Sequence, residues 1–329
     1  MKHKKTIMAL ALFALVASLP LVTAQGNGMQ YQHSQGMVQL TTDEIGIKVT
    51  AMDQVPHFHW WNITENETEY HVMFLKLFEA NDNDTDGAYT PENDSVVGAP
   101  FALPSSGWDF SGFETEEDGS ENVTAVHFNF TTTETFEPPV TGPGSGMTSF
   151  DVTIQIRVHM DMENPDQMKF DLIVDGWEWA QEDSILVFQF TVSESDRGEE
   201  NGTREPPGFV QEGNQFEFGG AFMEYAEEAS AGDAQAQVQG TYAPAPEGEE
   251  GKSVYLAFEY FGNETLEYDP IIGLSSTGDG TEDGTTDGTE DGTTDGTDGG
   301  LGIDYNQLLL VAGGVSIVVL VVVGFKLRR

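Results

Sequence analysis

The sequence predicts an all-β, antiparallel β-sandwich-like domain. Apolar residues recur at every second position over several stretches, Gly, Pro, Asn and Asp clusters separate those stretches, and no long amphipathic helical pattern interrupts them between Gln25 and Leu274. Phe150, Val152, Ile154, Ile156, Val158 and Met160 alternate with polar neighbours, which is a strand with one buried face. Phe170, Leu172 and Val174 repeat the pattern. So do Val126, Phe128 and Phe130; Leu186, Phe188, Phe190 and Val192; Val254, Leu256, Phe258 and Tyr260; and, nearer the front, Ile45, Ile47 and Val49. Many short strands with turn breaks suit a sandwich. Residues 138–146 (PPVTGPGSG) either link two domains or form a long loop within one; their flanks are not copies of each other, which favours one domain over 25–274.

The two ends carry different signals. Lys2, Lys4 and Lys5 precede an apolar core, and small residues end at Ala24, the layout of a secretory signal peptide over 1–24. Residues 275–304 are an acidic Thr/Asp/Gly-rich stalk in which DGTEDGTT starts at Asp279 and again at Asp287. With no apolar residue inside the repeats it builds no core, and its like charges extend it. A transmembrane helix is expected over 305–325: its uncharged run at 308–325 covers roughly 27 Å at helical rise, close to a bilayer's hydrocarbon thickness. The basic tail 326–329, with Lys326, Arg328 and Arg329, places the C-terminus inside and the bulk of the chain outside. A sorting signal that is cut and replaced by a lipid would share this layout.

Charge narrows the partners. Six of the 13 Lys and Arg residues lie in the two end segments, and the exported part keeps seven against all 56 acids. A field of that sign repels nucleic acid and anionic lipid, and attracts divalent cations. It also fits adaptation to salt, which screens the repulsion. No cysteine is present, which removes disulfides, thiol catalysis and Cys-based zinc sites, while roughly 250 exported residues bury enough surface to fold without cross-links. Eight N-x-[S/T] sequons, at Asn62, Asn66, Asn83, Asn93, Asn122, Asn129, Asn201 and Asn263, make an exported chain a candidate glycoprotein. Asn129 lies within an expected strand, so its use requires a solvent-facing side chain.

Three constellations bear chemistry. Asp82-Asn83-Asp84-Thr85-Asp86-Gly87 places oxygen ligands at every second residue before a glycine that permits a sharp turn. It resembles the calcium loop of EF-hand and dockerin-type proteins, without the flanking helices. The resemblance implies calcium held by Asp82, Asp84 and Asp86, with Ala88 offering its carbonyl and Thr90 at the ninth position. Asn93 stands where that loop carries a bidentate Glu, with Glu92 or Asp94 as substitutes. Second, His57-Phe58-His59-Trp60-Trp61 sets two imidazoles on one strand face; with His71, His127 and His159 in strand-like segments, two or three of them could meet on zinc or copper. Third, Trp60, Trp61, Trp108, Trp177 and Trp179 suit either a core or a sugar-stacking platform, Trp177 and Trp179 being expected to share a strand face. No nucleophile elbow, HExxH, P-loop or dinucleotide fingerprint is present, and a glycosidase-type carboxylate pair would be invisible among so many acids.

Signal peptide, acidic sequon-rich β domain, Thr/Asp/Gly stalk and C-terminal anchor together resemble an archaeal surface glycoprotein. The resemblance implies a structural or interaction role at the cell envelope, with other envelope proteins or glycans as partners. The alternatives are a carbohydrate- or metal-binding surface module and an extracellular hydrolase.

Overall fold

The computed structural model describes residues 24–25, 29–34, 36–50, 55–65, 67–120, 122–136, 149–198, 203–245 and 251–275. The expected signal peptide (bar Ala24), nearly all of the stalk, the apolar C-terminal run and the basic tail lie outside these residues, as do Asn66, Asn201 and residues 138–146. Among the described residues no helix is long and apolar enough to cross a membrane. The described part is all-β and antiparallel; its one helical element is a 3-10 turn at Leu103–Ser105.

In chain order the strands are β1 (Ala24–Gln25), β2 (Gln30–Ser34), β3 (Met37–Thr41), β4 (Ile45–Thr50), β5 (His57–Asn62), β6 (Thr68–Asn81), β7 (Ser95–Ala102), β8 (Asp109–Phe110), β9 (Glu114–Glu117), β10 (Val123–Phe136) and β11 (Phe150–Asp161). They continue as β12 (Gln167–Asp175), β13 (Ile185–Asp196), β14 (Val210–Glu212), β15 (Gln215–Phe218), β16 (Ala221–Glu224), β17 (Glu228–Ala231), β18 (Ala234–Pro244), β19 (Lys252–Phe258), β20 (Leu266–Tyr268) and β21 (Ile271–Leu274). The first ladder runs β1-β2-β3-β4-β5-β6-β13-β19-β18, with β7 beside the second half of β6. In the second, β8 and β9 share one edge of β10, which leads across its other edge through β11 to β12; β20 and β21 share the far edge of β12. From there β21 continues through β16 and β15 to β14, and β20 through β17 to β18. The first residues of β18 pair with β17 and the rest with β19, so this strand stitches the ladders together.

The ladders face each other because each has one apolar side. Phe58 and Phe74 of the first meet Phe170 of the second with ring centroids 5.6 Å apart, and the Trp60 indole N–H donates to the Gly273 carbonyl at 3.2 Å. The strict alternation expected for 150–160 appears in β11, whose buried residues include every apolar position named above. β13 differs, being buried at eleven of its twelve positions. Its outer side is covered too, by a small second cluster in which Phe78 of β6 and Val187 of β13 lie under Tyr89 of the β6–β7 connection. β19 stops at Phe258; Tyr260, expected to extend it, is exposed. Residues 138–146 fall between β10 and β11, which pair from Ala125↔Asp161 to Phe136↔Phe150, and residues on both sides join one core.

Each of the seven Lys and Arg residues among the described residues is used locally. Lys48, Arg157, Lys169, Arg204 and Lys252 pair with carboxylates, Lys76 lies over the Phe78 ring, and Arg197 lies 4.3 Å above Trp61. The buried carboxylates Glu69, Glu79 and Glu194 all have partners: Glu79, for example, accepts the Ala180 and Gln181 N–H groups at 2.8 Å and the Ser184 hydroxyl. Unpartnered, each would cost several kcal/mol.

Phe74 is fully buried against the rings of Phe58, Phe170, Phe188 and Phe190. Phe74→Ala is therefore expected to destabilise the domain by about 3–5 kcal/mol, read as a lowered denaturation midpoint at unchanged slope.

Candidate metal centres

The first candidate is the acidic connection between β6 and β7. Asp82, Asp84 and Asp86 each bring a carboxylate oxygen within 4.8 Å of the others. Side-chain to backbone bonds hold the loop: Asp82 accepts the N–H of Thr85 at 2.7 Å and of Gly87 at 2.9 Å, and Asp86 accepts that of Ala88 at 2.9 Å. Thr85 and Gly87 take left-handed φ values of 61° and 79°. The glycine adopts this without penalty; the threonine is held there by the surrounding bonds. Past the triad the arrangement departs from the calcium loop it resembles. Asn93 turns its amide N–H to Asp84 at 2.8 Å, and both Asp94 oxygens accept backbone N–H groups, from Asn83 at 2.9 Å and Thr90 at 2.7 Å. The Thr90 carbonyl accepts the N–H groups of Asn93 and Asp94, and Ala88 is buried. Three carboxylates are gathered, while Asn93, Asp94 and the Thr90 carbonyl serve the loop's own bonds.

The sequons fall into distinct settings. Asn263 is in an exposed turn. Asn83 and Asn93 are exposed, but their amide nitrogens serve the acidic loop. The Asn122 amide donates to Asp118 at 3.1 Å, the Asn62 oxygen caps the N–H groups of Thr64 and Glu65, and Asn129 is half-buried on β10. Of the tryptophans, Trp60, Trp61, Trp108 and Trp177 are buried. Trp177 and Trp179 lie in the connection between β12 and β13, not on a shared strand face: Trp177 stacks on Phe136 and Trp179 meets Tyr260 and Phe261. β12 ends at Asp175 and Gly176 (φ 78°) stands directly before the aromatic pair, a break that the tryptophan spacing did not reveal.

The second candidate is histidine-based, on the outer side of β5 and β6. Asn62 closes the β5–β6 connection by accepting two N–H groups, and the resulting register sets His59 directly opposite His71, with His57 opposite Met73. The ring centroids of His57 and His59 are 4.2 Å apart, those of His59 and His71 4.5 Å, and those of His57 and His71 5.6 Å. One ring nitrogen from each lies within 4.8 Å of the others. Glu69, two residues before His71 and so on the same face, bonds the His59 Nδ1 at 2.6 Å and the Lys48 ammonium at 3.2 Å. The His71 Nε2 meets the Ser195 hydroxyl of β13 at 2.8 Å, while its Nδ1 is buried without a partner. Trp61 closes one side of the face, flat over Gly46, where a Cβ would fall 2.2 Å from the indole, and beneath Arg197.

Burial, then the proximity of the other imidazoles, pushes His57 down to about 3; burial, then His59, pushes His71 down to about 4. His59 is lowered by burial despite the opposing bond to Glu69. Burial would raise Glu69, but the bond from His59 and the charge of Lys48 prevail and bring it to about 2. At neutral pH the face holds three uncharged imidazoles and one ionised carboxylate, the protonation that metal ligation requires.

His127 and His159 form a separate cross-strand pair on β10 and β11, Nδ1 to Nδ1 at 2.8 Å, with Asp171 2.8 Å from the His159 Nε2. The structure thus gathers His57, His59 and His71 and leaves these two apart. In sequence the chain matches no protein-family model and no curated protein, so function is read from the residues themselves.

A histidine held below its ordinary value contributes stability that is complete above the unfolded value of 6.5 and is lost as pH falls toward the folded one, about 3 for His57. In metal-free protein, wild type is expected to lose more stability than His57→Asn between roughly pH 6.5 and 4, measured as the shift in denaturant midpoint. Parallel profiles would contradict this.

Proposed function

We propose that the chain is an exported, membrane-anchored surface glycoprotein: a signal peptide over 1–24, a β-sandwich-like ectodomain over 25–274, a stalk over 275–304, a transmembrane helix over 305–325 and a cytoplasmic tail over 326–329. Its role is structural or interactive at the cell envelope, and calcium at Asp82, Asp84 and Asp86 stabilises the β6–β7 connection. The observation that carries this reading is the segregation of charge along the chain. All 56 acids lie between the apolar ends, while six of 13 cations flank those ends. The seven remaining cations are taken up in local pairs and ring contacts. The excess negative charge therefore faces solvent, where it keeps crowded copies apart and concentrates divalent cations.

Burial of four of the five tryptophans weakens the carbohydrate-platform alternative. The metal-binding alternative is favoured by the histidine cluster. The hydrolase alternative has no motif behind it.

Protease shaving of intact cells is expected to remove the ectodomain and leave a short membrane-bound remnant; an untouched full-length chain, or its recovery in the cytosol, would contradict the reading. Calorimetry of the detergent-solubilised full chain should show calcium heat that disappears when Asp84 and Asp86 are both changed to Ala. Wild type without such heat would remove calcium from the account.

A further inference from the structure

The histidine face differs in chemistry from the acidic loop and stands independently of where the chain resides. We infer that His57, His59 and His71 form a three-histidine centre for a late first-row divalent transition metal ion of the zinc–copper class, with Glu69 as the residue that orients His59.

The nitrogen assignments follow from the neighbours. With Glu69 ionised, the 2.6 Å contact requires His59 to carry its proton on Nδ1 and donate it, which leaves a bare lone pair on Nε2. The His71 Nε2 meets the Ser195 hydroxyl, and the ring's Nδ1 is a buried polar atom with no partner on a residue only 6% exposed. Such an atom costs about 1–3 kcal/mol unless something fills its lone pair. His57, two residues before His59 on the same strand face, supplies the third nitrogen. A carboxylate behind a metal-ligating imidazole is the common outer-shell partner, fixing tautomer and ring plane.

Geometry and donor type select the ion. Tetrahedral ligation at a Zn–N distance near 2.0–2.1 Å separates ligand nitrogens by roughly 3.3 Å. The three nitrogens, within 4.8 Å of one another, close on an ion by small ring rotations without moving the strands. Three neutral imidazoles suit zinc, copper, nickel or cobalt and are poor ligands for calcium or magnesium. Three protein ligands leave a fourth position for water or an exchangeable ligand. Lys48 opposes a cation electrostatically, but its charge is already matched by Glu69, which it contacts.

The test uses untagged full-length protein, stripped with chelator and reloaded with Zn²⁺ or, as a visible-spectrum probe, Co²⁺. Wild type is expected to retain one equivalent of zinc and to show tetrahedral cobalt bands. His59→Gln together with His71→Gln should lose both, while circular dichroism confirms that the variant is folded. Should that pair not fold, the single change His57→Gln serves the same purpose. Glu69→Gln keeps the shape and is expected to weaken zinc about 10–100-fold, whereas a purely structural Glu69 would leave zinc affinity unchanged. His127→Gln and Asp84→Asn should leave the cobalt spectrum intact. Absence of tight zinc in wild type, or the same spectrum in the histidine variants, would overturn the assignment without bearing on cell-surface location or calcium.

Discussion

The β6–β13 ladder is the constraint on which the other features depend. The two strands pair from Thr68↔Asp196 to Ala80↔Ile185, and both sides of β13 are covered. On the inner side this is simple: Phe74, Phe188 and Phe190 stack into the common core. On the outer side the same register buries His71, Glu69, Ser193 and Ser195. Buried polar groups on a sheet face need partners from neighbouring strands; Glu69, Ser195 and the His71 Nε2 find them across β4, β5, β6 and β13, while the His71 Nδ1 does not. Glu69 stays ionised because Lys48 and His59 both donate to it. Burial holds the imidazoles below their ordinary value, at His59 against the opposing bond to Glu69.

One irregularity divides β6 into two functional halves. Gln189 pairs with Lys76 and Phe190 with Phe74, so Leu75 is the extra residue of a bulge. Before it β6 pairs with β5 and carries His71 opposite His59; after it β6 pairs with β7 and runs into the acidic loop. One strand thus begins at a nitrogen-rich face suited to borderline ions and ends at an oxygen-rich loop suited to hard ones. The loop is fastened from above, since the Thr241 hydroxyl donates to the Tyr89 carbonyl and Tyr89 packs on Phe78 and Tyr255.

What was legible in the sequence follows from this asymmetry. Strands with one wet face, such as β11 and β12, announce themselves by alternation, and their buried residues are those expected. β6 does not: a two-sided burial and a bulge break the period, so its length and its role in the centre were not apparent. The acidic triad was visible because its ligands are local in sequence. The histidine centre was only half visible, as His57 and His59 share a strand, but its third member depends on register. That register had a readable source. Pairing about residue 65 across the turn begun by Asn62 sets His59 opposite His71. Glu69 and Gly46 carried no signal of their own, since one acid among 56 and one glycine among 37 acquire meaning only from what the ladder sets beside them.

The central claim is that register and burial hold these imidazoles neutral, with set tautomers and lone pairs directed at one point. Nitrogen NMR of the chelator-treated protein measures this directly. The account predicts uncharged rings for His57 and His71 still at about pH 5.5, against an ordinary imidazole value near 6.5, with the proton on Nδ1 of His59 and on Nε2 of His71. Imidazolium signals at that pH, or the opposite tautomers, would contradict it.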